Sequence, residues 1–381
     1  MSLIAARSPH LTLIRKFRQI NWGLVVLICL VCSIGFAMLY SAAGGDFQPW
    51  AARQMARFGL GLGIMVVVAM IDIRIWMRFA YAIYGVGVLL LIWVDVAGVV
   101  GMGAQRWIHL GFLSVQPSEV MKVAIVLVLA RYFHGLSQEQ IARPLYLVWP
   151  LLLIAAPAGL VLVQPDLGTA TMLTLTGGAL FFLAGVRIWK FLLVGGAGLA
   201  AMPLAWQFLR EYQKNRILTF LNPENDPLGS GYHILQSKIA LGSGGLFGRG
   251  YLEGSQAHLN FLPEKQTDFI FTMLAEEFGM VGGLVLLTLY VLIICYGYAI
   301  ALRSRSQFGR LLSLGLITMF SLYVFINVGM VMGLLPVVGV PLPLVSYGGT
   351  SMLSLLFSFG LIIGAYIHRD VTIGRHDGEG L

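Results

Sequence analysis

Ionisable residues occur at the entrance of a long apolar stretch and inside it. Glu264, Lys265 and Asp268 stand at the entrance, and Glu276 and Glu277 follow within the stretch. On insertion scales a charged side chain at membrane depth costs on the order of 2.5 to 3.5 kcal/mol, so such residues usually face a polar cavity, a partner or a substrate path. A carboxylate in a polar cavity can accept a proton as a general base.

Helical spacing connects one of these carboxylates to residues deeper in the stretch. If a helix begins at Asp268, Thr272 and Glu276 follow on the same face, with Glu276 about 12 Å further along the axis. This spacing predicts a polar stripe that descends from the membrane surface. The simpler alternative is that Asp268 only caps the helix, and the same alternative applies to Asp166 before the sixth apolar run.

The rest of the chain has the composition of a membrane protein. Of its 381 residues, 58% are hydrophobic and 11% are charged, and the apolar runs given next account for most of the chain, so no soluble domain of ordinary size is expected. Ten apolar runs are long enough to span a bilayer: residues 22–41, 54–71, 79–97, 118–133, 145–163, 169–186, 189–207, 269–300, 311–333 and 345–367. We predict an all-α polytopic membrane protein with about ten transmembrane helices, forming a single integral-membrane domain over residues 1–381.

Basic residues set the predicted orientation. Arg and Lys are concentrated in every second connection, whereas the short connections on the opposite side hold little beyond Arg53 and Arg106. The positive-inside rule then places both termini in the cytoplasm, with residues 1–21 as an N-terminal arm and residues 368–381 as a tail. The net charge of +8 therefore reflects topology, and it is not arranged as a nucleic-acid footprint.

One predicted extracytoplasmic loop, residues 208–268 between the seventh and eighth spans, is longer than the others. Structureless connections of this length are uncommon unless they are functional. Within the loop, residues 231–241 predict a short amphipathic helix and residues 242–250 a glycine-rich turn. The turn lacks the Lys-Ser/Thr ending of a nucleotide-binding loop, so we interpret it as a hinge.

Further charged residues lie near the same predicted surface. Glu119 and Lys122 are three residues apart and meet on a helix, either as a structural ion pair or facing a substrate. Arg106, beside Trp107, is either an interfacial anchor or a phosphate contact. The three cysteines all fall inside predicted spans and indicate neither a disulfide framework nor a metal site.

Several long segments match one family in its order and spacing, and the chain resembles the shape, elongation, division and sporulation (SEDS) family over nearly its whole length. The matching segments are GAQRWIHLGFLSVQPSEVMK, QPDLGT, RILTFLNPENDPLGSGYHILQSKIALGSGGLFGRG, FLPEKQTDFIFTMLAEEFG and PLPLVSYGGTSM. The residues of these segments resemble most the elongation-specific branch of the family, and the division-specific paralogue is the alternative. One departure is Gln266, where many relatives carry His; such a His is thus dispensable, which leaves Asp268 as the proton acceptor.

The resemblance implies a peptidoglycan glycosyltransferase. Such an enzyme polymerises lipid II, the undecaprenyl-diphosphate-linked disaccharide-pentapeptide, at the outer face of the cytoplasmic (inner) membrane during cell elongation and rod-shape maintenance. The acceptor hydroxyl attacks the anomeric carbon of the donor while a lipid diphosphate leaves, so the reaction needs a base near the hydroxyl and positive charge near the diphosphate.

By this resemblance, Asp268 is the general base. The cationic candidates for the diphosphate are Arg53, Arg106, Lys122 and Lys238. The other residues predicted to line or tune the substrate site are Glu119, Asp166, Glu264, Lys265, Ser346, Tyr347 and Gly348. A packing role for the turn of residues 346–348 is an equal alternative.

The implied partners are the membrane, a class B penicillin-binding protein transpeptidase and the elongation complex, because no Ser-x-x-Lys acyl-transfer motif occurs in the outer loops. No cofactor is assigned, and a divalent cation, Mg²⁺ or Mn²⁺, stays open. A lipid II flippase is the competing class, but the sequence shows no pair of interrupted segments in corresponding halves. A noncatalytic scaffold would leave the polar stripe from Asp268 to Glu276 unexplained.

Overall fold

The structure is a computed structural model that describes residues 12–101, 104–110, 113–208, 211–225, 229–254 and 264–374. Parts of the predicted N-terminal arm, of the long loop and of the C-terminal tail lie outside these ranges. The helices of the described chain are α1 (Leu13–Arg18), α2 (Trp22–Ala42), α3 (Ala51–Met70), α4 (Ile73–Ala97), α5 (Pro117–Gly135), α6 (Gln138–Ala142), α7 (Leu145–Val163), α8 (Leu167–Leu183), α9 (Ile188–Phe208), α10 (Glu211–Leu221), α11 (Ser230–Ser243), α12 (Ile270–Arg303), α13 (Gln307–Val331) and α14 (Gly349–Ile367).

The predicted polytopic helical architecture is confirmed. Ten of the described helices coincide with the ten predicted apolar runs to within a few residues at most ends. By length and composition, seven of them can cross a membrane: α2, α3, α4, α7, α12, α13 and α14. The apolar helix α8 and the apolar part of α9 are shorter, so the number of membrane crossings stays a prediction.

Short polar side chains fix where several helices begin. Asn21 Oδ1 accepts a hydrogen bond from Leu24 N at the start of α2, and Asp72 does the same for the first turn of α4. Pro117 occupies the first turn of α5, where its missing amide hydrogen is not needed. These caps satisfy amide groups that the helix itself leaves without partners.

The polar connection before α5 contains a small antiparallel sheet, which sequence reasoning did not predict. The strands are β1 (Val99–Gly101), β2 (Ala104–Leu110) and β3 (Leu113–Val115), paired in the order β1-β2-β3. Short strands with few alternating apolar residues give a weak sequence signal, and pairing with neighbours stabilises them here.

The long loop also has structure of its own. Residues 231–241, predicted as a short amphipathic helix, lie within α11, and α10 precedes it. Residues 244–250, which we name the clamp loop, return from α11 to α12. Next to the clamp loop, α12 is interrupted at Gly279, whose backbone has φ 66° and ψ −162°.

The clamp loop replaces the helical hydrogen bonds that are lost at this interruption. Four backbone bonds join the two segments: Met280 N to Gly245 O (2.9 Å), Val281 N to Leu246 O (3.1 Å), Arg249 N to Glu276 O (3.0 Å) and Gly250 N to Glu277 O (3.1 Å). Buried backbone groups need such partners, so the clamp loop fixes the direction of the first two turns of α12, which begins two residues after Asp268.

Candidate active site

A cavity of about 490 Å³ opens at the end of the bundle where α3, α5, α8, α12 and α14 begin. This volume lies within the usual range of ligand pockets, roughly 300 to 1,000 Å³. Its charged lining residues are Arg57, Arg106, Glu119, Lys122, Asp166, Glu264 and Asp268. Strand β2 and the segment of residues 338–351 supply much of the remaining wall.

Asp268 lies just before α12 rather than on it. The helix begins at Ile270, and its N-cap residue is Phe269, which makes no side-chain capping bond. Helical periodicity therefore starts two residues later than predicted. Asp268 is half-buried in the cavity wall, with one carboxylate oxygen near Gly339 on the facing segment.

The predicted polar stripe from Asp268 to Glu276 does not continue the cavity, which is a correction to the sequence interpretation. Thr272 is fully buried, and its hydroxyl pairs with that of Ser237 on α11 at 2.8 Å. Glu276 is also fully buried and lies against Gly254, beyond the clamp loop. The stripe instead joins α12 to the long loop, because Asp268 precedes the helix and does not share its face.

Three consecutive carbonyls fix the segment that carries Asp268. We name residues 264–268 the strap. Its bonds to the rest of the protein are Tyr347 N to Gln266 O (2.8 Å), Ser346 Oγ to Thr267 O (2.6 Å) and Asn327 Nδ2 to Asp268 O (2.9 Å). The backbone of the strap is thus tied to α13 and to the segment before α14.

Glu119 and Lys122 form the predicted ion pair, with 2.7 Å between Lys122 Nζ and Glu119 Oε1. Tyr323 of α13 completes a closed triangle: its hydroxyl accepts a hydrogen bond from Lys122 and donates one to Glu119 Oε2 at 3.2 Å. All three side chains are buried and line the cavity. The position of the pair is therefore compatible both with a structural ion pair and with a pair that faces the substrate.

Arg106 and Asp166 form a second pair of opposite charge in the lining. Arg106 Nη1 lies 3.7 Å from Asp166 Oδ2, and the guanidinium also donates to the carbonyls of Gln164 (3.2 Å) and Pro165 (2.5 Å). Asp166 accepts a hydrogen bond from Thr169 N at 3.0 Å, so it caps α8 as the simpler alternative proposed. The pair ties strand β2 to the start of α8.

Arg57 is a lining residue that sequence reasoning missed. Its guanidinium carbon lies 5.1 Å from the ring centroid of Tyr347, and its terminal atoms approach Gly349. A cation over an aromatic face is held in place while its charge stays available to a ligand. Arg57 is one helical turn after Arg53, and this i, i+4 spacing is the signal that could have found it.

Four of the predicted site residues lie outside the cavity lining of the described chain. Arg53 is exposed on α3, and Lys238 lies near Gly333 at the end of α13. Ser346 is buried behind the wall, where its hydroxyl supports the strap. Lys265 lies in the strap beside the cavity, and partial burial lowers the pKa of its ammonium group.

The other predicted residues of these segments do line the cavity. Glu264 has φ 55° and accepts a hydrogen bond from the Thr267 hydroxyl at 3.0 Å. Gly348 N is directed at Gln54 Oε1, at 3.4 Å. Among the residues that the structure describes, no group of three or more His, Cys, Asp or Glu side chains is arranged to hold a metal ion.

The chain is similar in sequence to known proteins of one family. Residues 19–371 match the family of FtsW, RodA and SpoVE cell cycle proteins. The chain is 45% identical to the peptidoglycan glycosyltransferase MrdB of Escherichia coli K12, over 91% of this chain and 93% of that protein. It is 37% identical to the stage V sporulation protein E of Bacillus subtilis, over 89% of this chain and 95% of that protein.

Solved structures agree with the sequence comparison. The Thermus thermophilus rod shape determining protein RodA is 32% identical with a TM-score of 0.69, covering 92% of this chain and 97% of that chain. A chain from a peptidoglycan synthase complex, described as coordinating polymerization and crosslinking, is 35% identical with a TM-score of 0.80, covering 92% of this chain and 98% of that chain. The protein is therefore a multi-pass membrane protein that belongs to the SEDS family of FtsW, RodA and SpoVE.

Proposed function

We propose that this protein is a peptidoglycan glycosyltransferase that polymerises lipid II at the outer face of the cytoplasmic membrane during cell elongation. The observation that carries the proposal is the joint position of Asp268 and three cationic side chains, Arg57, Arg106 and Lys122, in the lining of one cavity. A sugar transfer from a lipid diphosphate needs both a proton acceptor and positive charge. The activity named for the relative from Escherichia coli supports the same assignment.

The chemistry follows from these two kinds of group. The hydroxyl of the acceptor sugar attacks the anomeric carbon of the donor, and the bond between that carbon and the diphosphate oxygen breaks. Asp268 accepts the hydroxyl proton as the new glycosidic bond forms. The cations Arg57, Arg106 and Lys122 stabilise the negative charge that develops on the leaving diphosphate.

We place the cavity end of the bundle outside the cytoplasm and both termini inside. Basic residues cluster at the opposite end: Arg131 donates to the carbonyls of Met77 and Arg78, and Lys190 donates to that of Ala142 at 2.8 Å. This distribution matches the positive-inside rule. Labelling of single cysteines introduced beside Asp46 and beside Arg305 in intact cells tests it, since only the first should react with an impermeant reagent.

The catalytic assignment is tested by Asp268→Asn, which keeps the shape of the side chain but removes its basicity. The variant should fold and bind lipid II but polymerise it roughly 10² to 10⁴ times more slowly, the usual effect of losing a general base. Asp46→Asn is the matched control, because Asp46 is an exposed carboxylate outside the cavity lining.

The polymerisation rate is measured by resolving on a gel the glycan strands that the purified protein makes from lipid II. Near-normal polymerisation by a well-folded Asp268→Asn protein would remove Asp268 from this role. Lipid II translocation retained by a polymerisation-dead variant would instead add a transport activity.

A further inference from the structure

The amide of Asn327 joins the two backbone segments that face each other across the candidate base. Asn327 lies near the end of α13, and its side chain is fully buried. Its nitrogen Nδ2 donates to Asp268 O at 2.9 Å and to Val340 O at 2.7 Å. Both acceptors belong to residues that line the cavity, whereas Asn327 itself does not.

The chemistry of this contact needs a side-chain amide. A neutral amide nitrogen carries two hydrogens, so it can bind two carbonyl oxygens at once. A carboxylate of the same shape has no hydrogen to donate, so its oxygens would repel the two carbonyl oxygens instead of binding them. An apolar residue would leave both buried carbonyls without this partner, which is costly in a low-dielectric interior.

The position of the two carbonyls connects the contact to the reaction. Asp268 O belongs to the residue that carries the proposed base, and Val340 adjoins Gly339, whose Cα side lies near Asp268 Oδ2. Together with the bonds that Tyr347 N and Ser346 Oγ make to the strap, this amide holds the residue that carries the carboxylate against the segment that faces it. Displacements of about 1 Å at a reacting group can lower a rate on the order of 10²-fold.

We propose that Asn327 is a positioning residue for Asp268: it fixes the carboxylate against the facing cavity wall without contacting substrate. This inference rests on the proposed function, because it assumes that Asp268 is the base. A residue with only a packing role would change the amount of folded protein. A positioning residue also changes the turnover of the protein that is folded.

The test compares Asn327→Asp and Asn327→Leu with the control Thr318→Val. Thr318 bonds to Tyr298 at 3.1 Å and so joins α12 and α13, as Asn327 joins α13 to the strap, but it lies away from the cavity. Thermal unfolding, lipid II binding and the rates of polymerisation over a range of pH are measured for each purified protein. Rates are normalised to the fraction that binds lipid II.

We expect both Asn327 variants to bind lipid II with unchanged KM and to lose about 10²-fold in kcat. The pH at which kcat falls on the acidic side should also shift, because a displaced carboxylate has different neighbours. Thr318→Val should show wild-type kcat and pH dependence even if its unfolding temperature falls.

Several outcomes would overturn the inference. Wild-type kcat in folded Asn327→Asp and Asn327→Leu proteins would show that the contact does not serve catalysis. Failure of both variants to accumulate as folded protein would assign Asn327 to the fold instead. The result with Asp268→Asn separates the two proposals, since normal polymerisation by that variant rejects the base itself, whereas a dead Asp268→Asn with active Asn327 variants rejects only the positioning role.

Discussion

At the scale of single residues, the charged side chains of the cavity differ in how they are neutralised. Lys122 is 2% exposed and contacts both Glu119 and Tyr323. Removing one member of a buried pair typically costs about 3 to 5 kcal/mol, because the remaining charge stays buried without its partner. Single substitutions therefore cannot separate a structural role of Lys122 from a role toward the diphosphate.

A double substitution can separate them. We expect Glu119→Leu and Lys122→Leu together to recover most of the unfolding free energy that each single variant loses, because no uncompensated charge remains. Polymerisation should nevertheless stay at least about 10²-fold below wild type, since the cation that we propose stabilises the leaving diphosphate is gone. Unfolding curves and polymerisation rates of the four proteins are the measurement, and a fully active double variant would make the pair purely structural.

Arg57 and Arg53 offer a matched pair on one helix. Arg57 lines the cavity against Tyr347, whereas Arg53 is exposed one turn earlier and does not line it. We expect Arg57→Gln to raise the KM for lipid II by roughly 10- to 100-fold, the equivalent of about 1.5 to 3 kcal/mol for a charged hydrogen bond. Arg53→Gln should change KM less than about threefold. A larger effect at Arg53 than at Arg57 would contradict this arrangement of the cavity.

The sequence predicted most of the charged residues of this site and missed the uncharged polar residues that lie inside an apolar helix. Asp268, Glu119 and Lys122 could be identified because charge is conspicuous among apolar neighbours. Tyr323 and Asn327 belong to the apolar helix α13, and only the folded chain brings them to Lys122 and Asp268. The stripe toward Glu276 was wrong as a continuation of the site, because the helix start cannot be located to one residue from sequence.

At the scale of elements, the interruption of α12 determines how the strap enters the bundle. Gly248 has φ 83°, and an added Cβ there would lie 2.1 Å from Glu277 O; at Gly279 it would lie 2.3 Å from Gly248 N. Neither position has room for a side chain. The clamp loop and the break in α12 therefore depend on glycine at both points.

The clamp is tested by Gly248→Ala, with Gly242→Ala as the matched control. Gly242 is in α11, and an added Cβ there meets nothing within 4 Å. We expect Gly248→Ala to cost more than about 1 kcal/mol of unfolding free energy through steric conflict and an unfavourable positive φ. Gly242→Ala should leave stability unchanged or raise it by up to about 1 kcal/mol. Thermal unfolding in detergent measures both, and equal effects would mean that the clamp loop is not tightly held.

The positions of the helices could be predicted from the sequence, but their exact ends and the contacts between elements could not. Apolar runs predicted ten helices because a bilayer requires about 20 apolar residues per crossing. The three strands before α5 and the interruption at Gly279 carry no comparable signal. The latter depends on hydrogen bonds from the clamp loop, which is more than 25 residues earlier in the chain.

At the scale of the whole molecule, the fold concentrates its site chemistry at one end of the bundle. The first turns of α5, α8 and α14 all contribute to the cavity wall. Their aligned dipoles direct positive N-terminal ends toward it, which favours an anionic ligand such as a diphosphate. We propose that the polyprenyl chain of the substrate lies against the long apolar helices.

Crosslinking of glycan strands requires acyl-transfer chemistry in addition to polymerisation. No Ser-x-x-Lys motif for acyl transfer occurs in the sequence, and we propose that this protein makes glycan strands that a second protein crosslinks. We propose that a class B penicillin-binding protein supplies the transpeptidase within the elongation complex. The similar chain from a complex that coordinates polymerization and crosslinking supports a partner of this kind.

The partner prediction is tested by purification from membranes and by reconstitution with lipid II. We expect a class B penicillin-binding protein to co-purify and to stimulate polymerisation. The complex should yield crosslinked glycan, and in the presence of penicillin, which blocks the transpeptidase, it should yield uncrosslinked strands at an undiminished rate of polymerisation. The Asp268→Asn protein should still bind this partner, because Asp268 lies in the cavity wall rather than on the outer surface of the bundle. A monodisperse protein that is fully active alone, with no bound transpeptidase and no stimulation by one, would show that polymerisation here is independent of crosslinking.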